Sequence, residues 1–283
     1  MPNLITADGR RLSWREAGSG EPLLLHPGGP GMSSAYFGEL PELASERTLL
    51  LLDPRGTGES DRPSDATAFE LADYASDLEE VRRHLSLERL DLLGHSHGGF
   101  VAMAWASAYP QGVGRLVLAN TAARFSDAIR AAREARVASH QGQPYYADAV
   151  EALRLHAEGR YGSDEELREL YRREARLLLA PETSVDDLGG LLDRAGANAD
   201  ALHYFNERIA PGMDQREALA GVGASTLAIT GELDPFGEST AREISDALPK
   251  ATLVVLARAD HFPFLEPENR VAWSQAVAHF LAG

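Results

Sequence analysis

A serine stands at the centre of the stretch Gly94-His95-Ser96-His97-Gly98, with a histidine on each side and a glycine at each end. A serine hydroxyl becomes a strong nucleophile only when a nearby base removes its proton. Glycines at the two ends suit a sharp turn, because the serine there takes a strained backbone and its neighbours have little room for side chains. The spacing therefore predicts that Ser96 is a nucleophile held on a tight strand-to-helix turn.

The two histidines that flank Ser96 are poor candidates for its base. Adjacent side chains diverge on a tight turn, so neither His95 nor His97 can easily reach the serine hydroxyl. Two later loops offer better candidates, because each follows an apolar run typical of a strand: Asp234 in "TGELDPFGES" and His261 in "ARADHFPFLEPE". The order Ser…Asp…His along the chain occurs in known serine nucleophile sites. We predict that His261 is the base and that Asp234 orients it.

Other residues near these positions fit the roles less well. His279 lies on the last predicted helix, and Asp260 would have to fold back onto its own neighbour His261. Asn120 ends another apolar run, but an amide cannot stabilise an imidazolium as a carboxylate does. For His95 we predict an inward-pointing ring with structural hydrogen bonds.

A glycine-rich loop, "HPGGPGMSS", follows the first long apolar run. Its glycines free backbone N–H groups to face a developing negative charge, and it lacks the spacing of phosphate-binding loops. We predict an oxyanion hole formed by the N–H groups of Gly29 and His97, with Gly28 as the alternative to Gly29. The glycines and Arg55 of "DPRGTGES" are predicted to support these loops rather than to touch substrate.

The elements that position these residues alternate between short apolar runs and helical patterns. The apolar runs are continuous, as in strands buried on both faces of a parallel sheet, and they occupy residues 22–26, 48–53, 90–94, 115–120, 225–230 and 251–257. Helical spacing occupies residues 69–85, 100–110, about 238–248 and about 268–281. This alternation predicts an α/β fold with a mostly parallel, doubly wound sheet.

Residues 121–215 interrupt this alternation with stretches rich in Ala, Leu, Arg and Glu. We predict helices within residues 126–138, 146–159, 163–181 and 184–196. Ser163 and Glu166 fit a capping box, and Pro181 ends that helix. A helical block inserted into an α/β sheet usually forms a cap over the ligand site. The predicted organisation is a core of residues 1–120 and 216–283 with a helical cap of residues 121–215.

Composition narrows the classes of function. The 283 residues include no cysteine, which excludes disulfides, thiolate zinc sites and cysteine nucleophiles. A formal charge of −16 repels nucleic-acid phosphates and anionic lipid. Neither a basic leader with an apolar core nor an apolar run of about 18 residues occurs. We expect a soluble, cytoplasmic protein that uses no cofactor or metal and has no nucleic-acid or membrane partner.

Taken together, the motifs resemble a known family. "GGPG" after the first apolar run, "DPRGTGES" and "GELD…ADHF" are similar to the proline iminopeptidase group of the α/β-hydrolase superfamily, whose core covers nearly all of the chain. The resemblance implies the α/β-hydrolase fold and a serine hydrolase related to enzymes that remove an N-terminal proline. The group's loop normally begins His-Gly-Gly-Pro-Gly, and its histidine position falls here on Pro27, with His26 displaced by one.

A second departure from the family concerns substrate specificity. The cap motif Glu-Asn-His-Tyr-Phe corresponds here to Ala201-Leu202-His203-Tyr204-Phe205, so alanine replaces the glutamate that holds the substrate's free amine. A buried ammonium without a carboxylate costs several kcal/mol. The resemblance therefore carries over the catalytic residues but not the aminopeptidase specificity. His203, Tyr204 and Phe205 are candidates for lining the substrate pocket, with plain cap packing as the alternative.

The leading hypothesis is a serine hydrolase that cleaves an ester or amide bond of a small molecule or short peptide through an acyl-enzyme. The missing glutamate favours an esterase or lactonase, and a true prolyl aminopeptidase is the alternative. A ligand-binding protein without activity is the rival outside the enzymes, because a fold does not by itself determine function.

Overall fold

A computed structural model describes residues 1–185 and 188–283. Within these ranges the strands form one sheet in the order β1-β2-β4-β3-β5-β6-β7-β8. Strands β3 to β8 are parallel, and β1 and β2 join antiparallel at one edge. The predicted mostly parallel sheet is confirmed, with strands β1 (Asn3–Ile5), β2 (Arg11–Gly18), β3 (Pro22–His26), β4 (Thr48–Asp53), β5 (Leu90–His95), β6 (Val113–Ala119), β7 (Ser225–Gly231) and β8 (Ala251–Leu256).

Helices connect the strands and fill the long segment between β6 and β7. The part of the predicted helix 184–196 at residues 186 and 187 lies outside the described residues. None of the described helices is long and apolar enough to cross a membrane. The helices are α1 (Pro41–Ala44), α2 (Leu71–His84), α3 (His97–Ala108), α4 (Asp127–Ser139), α5 (Tyr146–Ala157), α6 (Asp164–Glu174), α7 (Leu188–Ala195), α8 (Ala199–Tyr204), α9 (Arg216–Leu219), α10 (Gly237–Ala247) and α11 (Arg270–Ala282).

The continuous apolar runs follow from burial of the sheet on both faces. Side chains of successive strand residues point to opposite faces. Leu24 and Leu92 belong to one core cluster, whereas their chain neighbours Leu23, Leu25 and Leu93 belong to the other. Both faces are covered, so both sets of side chains must be apolar.

Two antiparallel strands are absent from the sequence-based prediction. The longer one, β2, carries Arg11, Arg15 and Glu16 and alternates between half-buried and exposed residues towards its end. It pairs with β4 through contacts such as Trp14 opposite Leu52. This strand lies between β1 and β4 near one edge of the sheet and is only partly buried. A partly exposed antiparallel strand needs fewer apolar residues, which explains why a search for continuous apolar runs misses it.

The start of α6 is close to the prediction and its end is not. The Ser163 hydroxyl accepts a hydrogen bond from the Glu166 N–H at 3.2 Å, as a cap should. The reciprocal bond is displaced by one residue, because Glu166 accepts from the Gly162 N–H at 2.6 Å. The helix ends at Glu174 and continues as a 3₁₀ turn over Ala175–Leu178, well before Pro181. A proline disfavours the helical conformation only of the residue before it, here Ala180, so Pro181 does not account for the end of α6 at Glu174.

Candidate active site

Ser96 lies at the turn between β5 and α3 with φ 53° and ψ −117°. This conformation is strained for a residue with a side chain and costs on the order of 1–3 kcal/mol. The backbone around this turn is packed closely. A Cβ on Gly94 would collide with the Gly98 carbonyl, and a Cβ on Gly98 would collide with the His26 carbonyl. The glycines are therefore needed for close backbone approach, and the strain is carried by the serine itself at the carboxyl end of β5.

Asp234 and His261 lie in the loops after β7 and β8, and their side chains meet. His261 Nδ1 donates to Asp234 Oδ1 at 3.1 Å, and the Phe236 N–H donates to the same oxygen at 3.0 Å. Burial raises the pKa of Asp234, but His261 and the hydrogen bonds to the carboxylate together lower it below its ordinary value. An ionised carboxylate on Nδ1 fixes the tautomer that leaves Nε2 free to act as a base.

Asn120 supports this pair, a role that was not predicted. Its amide nitrogen donates to Asp234 Oδ2 at 2.7 Å and to the Asp260 carbonyl at 3.1 Å. The available signal was its position directly after a buried strand. Asn120 therefore holds the Asp234 carboxylate in place and does not take over its role as the acid of the site.

The structure links Asp234 to His261, but among the described residues no hydrogen bond joins the Ser96 hydroxyl to His261. The ring of His95, the residue before Ser96, lies 4.9 Å from the His261 ring, so the turn that carries Ser96 and the loop that carries His261 pack against each other. Catalytic hydrogen bonds are often long in unliganded sites and tighten when substrate binds. The carboxyl ends of β5, β7 and β8 thus bring the three predicted residues to one edge of the sheet.

His95 has a structural role, as predicted. Its ring is 0 % exposed, Nε2 donates to the His261 carbonyl at 2.8 Å, and Nδ1 accepts from the Tyr36 hydroxyl at 2.6 Å. Burial and the neighbouring His261 lower the pKa of His95 to about 3. Both ring nitrogens are occupied, so His95 is not available as a base for Ser96.

Tyr36 also distinguishes the two glycines considered for the oxyanion hole. The Gly28 N–H donates to the Tyr36 hydroxyl at 2.5 Å and is therefore occupied. In the described part of the chain, the N–H groups of Gly29 and His97 donate to no protein acceptor. This arrangement supports Gly29 and His97 as donors and argues against Gly28.

The three candidate pocket residues lie in different surroundings. The Phe205 ring packs edge-on against His97 at 5.2 Å, next to the nucleophile turn. The Tyr204 hydroxyl donates to Glu70 at 2.6 Å, and the His203 ring stacks on Tyr161 at 4.3 Å. Phe205 therefore fits a pocket role, whereas Tyr204 and His203 make contacts within and around the helical segment. Phe205 also begins a π-helical turn, a feature frequent at functional sites.

Ala201, which replaces the family's glutamate, is 1 % exposed and packs in the same core cluster as Phe205. Two acidic residues nearby in sequence do not compensate for it. Asp200 is exposed and forms an ion pair with Arg62 at 3.1 Å, and Glu207 is exposed. Neither carboxylate lies in a buried position where it could hold a substrate amine.

Glu174 differs from these acids because it is 4 % exposed. One of its oxygens accepts from His156 Nδ1 at 2.7 Å, while the other, like the Tyr161 hydroxyl, has no partner in the described residues. Tyr161 belongs to a cluster against which Met32 of the Gly29 loop packs. Within residues 1–185 and 188–283, no group of three or more histidine, aspartate or glutamate side chains is placed to hold a metal ion.

Arg55 supports the loops, as predicted for "DPRGTGES". Its guanidinium is buried and donates to Asp77 at 2.8 Å, to the Ala68 carbonyl at 2.8 Å and to the Asp73 carbonyl at 2.6 Å. These bonds tie the loop after β4 to α2 and to the segment before it.

Three buried histidines around the nucleophile turn predict loss of stability in mild acid. Burial lowers the pKa of His95 and of His97 to about 3 and that of His26 to about 4, all from 6.5. Below about pH 6.5 the unfolded chain takes up protons that the folded chain excludes, so the free energy of unfolding should fall as the pH is lowered from 6.5 to about 3. His97→Met should reduce this slope by up to about 1.4 kcal/mol per pH unit.

Urea unfolding at a series of pH values measures the slope. His279→Met is the matched control, because His279 is exposed on α11. A slope for His97→Met equal to that of the parent would show that His97 is not held neutral by burial.

Comparison with known proteins agrees with this geometry. The sequence profile of the α/β hydrolase fold matches residues 21–268. The chain is 28% identical over 280 residues to a proline iminopeptidase of Lactiplantibacillus plantarum, covering 92% of each chain. It is 35% identical over 119 residues to a proline iminopeptidase of Heyndrickxia coagulans, a match that spans only 41% of either chain.

A solved structure shows the same fold at lower identity. The esterase RhEst1 from Rhodococcus sp. ECU1013 superposes with a TM-score of 0.76 at 21% identity, covering 100% of this chain and 98% of that one. The profile match covers most of the chain, including the turn that carries Ser96 and the loops that carry Asp234 and His261. The protein is therefore an α/β hydrolase, a member of the α/β hydrolase fold family that is similar to proline iminopeptidases.

Proposed function

We propose that this hydrolase uses Ser96, His261 and Asp234 to cleave an ester or amide bond through an acyl-enzyme. The observation that carries the proposal is the hydrogen-bonded His261–Asp234 pair at the same sheet edge as the strained Ser96 turn. This arrangement supplies a nucleophile, a base with a defined tautomer and a carboxylate that stabilises the imidazolium.

In the first half-reaction, Ser96 Oγ attacks the substrate's carbonyl carbon while His261 Nε2 takes the hydroxyl proton. The N–H groups of Gly29 and His97 donate to the oxyanion of the tetrahedral intermediate. His261 then gives its proton to the leaving group as the bond to carbon breaks. In the second half-reaction, water attacks the acyl-enzyme with His261 again as base, and Ser96 recovers its proton.

For the substrate we propose a small neutral acyl compound or short peptide, with esters favoured over free aminoacyl compounds. Ala201 leaves the cap motif without its carboxylate, and a charged amine does not enter an apolar pocket unpaired. Around the nucleophile turn, His97 and Phe205 present rings, and burial keeps the His97 ring neutral. The proposed function requires Ser96 as the nucleophile. Side-by-side hydrolysis of p-nitrophenyl esters, proline-p-nitroanilide and other aminoacyl anilides tests the substrate class.

Restoring the family's carboxylate should change that preference. We expect Ala201→Glu to shift kcat/KM towards proline-p-nitroanilide, relative to p-nitrophenyl acetate, by about 1–3 kcal/mol, roughly 5- to 150-fold. The variant should also lose stability, because Ala201 is buried in a core cluster and an unpaired carboxylate there is costly. The measurement is the ratio of kcat/KM for the two substrates, with the melting temperature of each variant.

Ala201→Gln is the control, since glutamine has the size of glutamate without its charge. The glutamine variant should lose stability without gaining activity on the anilide. An equal gain in both variants, or no gain in the glutamate variant while it remains folded, would contradict the proposed role of this position.

A second candidate function is prolyl aminopeptidase activity with Glu174 in place of the missing glutamate. Glu174 favours this alternative, because it is buried and one of its oxygens has no partner in the described part of the chain. High kcat/KM of the parent on proline-p-nitroanilide with poor ester turnover would support it. Glu174→Gln should then weaken anilide hydrolysis and leave ester hydrolysis unchanged.

A further inference from the structure

The residue that precedes His261 is bonded to distant parts of the chain. Asp260 is 0 % exposed, and its Oδ1 accepts from the N–H of His261 at 3.0 Å. Its Oδ2 accepts from Arg136 Nη1 at 2.9 Å, from the Ala180 N–H, and from the Thr183 hydroxyl at 3.4 Å. One carboxylate thus connects the backbone of His261 to two segments between β6 and β7.

Arg136, on α4, reaches both loops that carry the acid–base pair. While Nη1 bonds to Asp260, Nη2 donates to the carbonyl of Leu233, the residue before Asp234. Its side chain is 10% exposed. A single guanidinium therefore holds the Asp234 loop and the His261 loop at one place.

The buried Asp260 carboxylate depends on its hydrogen-bond partners. A buried carboxylate that loses its partner is strongly destabilising, so the loop around it must rearrange. On its other side, the Asp260 N–H donates to buried Glu266 at 2.9 Å, which supplies no positive charge. Burial raises the pKa of Asp260, and Arg136 opposes this rise. The segment between β6 and β7 thus supplies the guanidinium that pairs with Asp260 beside His261.

We propose that Asp260 and Arg136 form a positioning pair that couples the seating of the helical segment between β6 and β7 to the orientation of His261. Neither residue touches the reacting atoms. The pair acts through the His261 backbone and the Leu233 carbonyl, so the orientation of the base depends on how α4 and the Ala180 segment are docked. This inference rests on the proposed serine hydrolase mechanism.

The test separates this role from general stabilisation by comparing kcat with KM. Arg136→Gln should lower kcat for p-nitrophenyl acetate roughly 10- to 100-fold with little change in KM, because a misplaced base slows chemistry. An acetyl group is too small to need the cap for binding, so a purely structural loss would leave its kcat unchanged in the folded fraction. Arg173→Gln is the matched control, because it removes a different ion pair of the segment between β6 and β7, Arg173 on α6 with Asp148 on α5 at 2.8 Å, which does not involve His261 or Asp260.

Asp260→Asn and the double variant complete the cycle. Asparagine keeps an acceptor for the His261 N–H but presents no carboxylate to Arg136, so it should lose kcat by a similar factor. The double variant should be no worse than the more damaging single one, since residues of one network are not additive. Arg136→Lys, which keeps one positive donor, should recover part of the lost kcat. If Asp260→Asn does not fold, the two Arg136 variants decide.

Fluorophosphonate labelling of Ser96 distinguishes a failure of the Asp260–Arg136 positioning role from a failure of the serine mechanism. A parent that hydrolyses esters and is labelled, combined with an Arg136→Gln variant whose kcat equals that of Arg173→Gln, overturns the positioning pair alone. Additive losses in the double variant also overturn it. A parent that is neither active nor labelled overturns the serine mechanism and, with it, the role of the pair.

Discussion

Ser96→Ala is expected to lower kcat by about a million-fold, as the loss of the nucleophile does in other sites of this kind. The fold should survive, because alanine replaces serine without adding volume. Alanine should tolerate the turn as the serine does, since both residues carry a Cβ at φ 53°. Steady-state hydrolysis of p-nitrophenyl esters and labelling by a fluorophosphonate probe measure the effect.

Ser163→Ala is the control for this substitution. Ser163 caps α6 through the Glu166 N–H, so its loss should cost about 1 kcal/mol of stability and leave kcat unchanged. A Ser96→Ala protein that is labelled as strongly as the parent would show that another residue is the nucleophile.

The second large effect concerns the base of Ser96, which we assign to the distant His261 and not to the neighbouring His97. We expect His261→Ala to abolish turnover nearly as completely as Ser96→Ala, because no other group would take the serine proton. We expect His97→Ala to remain active, because the backbone N–H that it contributes to the oxyanion hole does not depend on the side chain. Its ring contacts Phe205, so its loss should change substrate preference more than kcat.

Kinetics on esters of increasing acyl length separate these effects, with near-UV circular dichroism to check the fold of each variant. His279→Ala, at an exposed site on α11, is the control for histidine loss and should behave as the parent. If folded His97→Ala were as inactive as His261→Ala, the assignment of the base would be wrong.

Most of the architecture follows from local sequence patterns. Continuous apolar runs predict β3 to β8, because strands covered on both faces have no polar side. The glycines around Ser96 predict the turn, because they mark where backbones must approach closely. Asp234 and His261 were identifiable because parallel strands end at one edge of the sheet, so residues that follow different strands meet there.

Other features of the protein depend on the tertiary structure. Periodicity reports which face of an element is buried but not which distant segment covers it, and this is why β2, half polar and paired with β4, escaped prediction. The choice of Gly29 over Gly28 depends on a hydrogen bond from Gly28 to Tyr36.

The surroundings of Asp234 and His261 likewise combine features that the sequence predicts with features that depend on the tertiary structure. Local patterns suffice to place a serine, an aspartate and a histidine after three strands that end at one edge of the sheet. The contacts that hold these residues appear only in the folded chain: Asn120 bonds to Asp234 and Arg136 to Asp260, residues separated by 114 and 124 positions along the chain. The physical reason is that a hydrogen bond depends on the positions of two atoms in space, and no local pattern records a partner that folding brings from so far away.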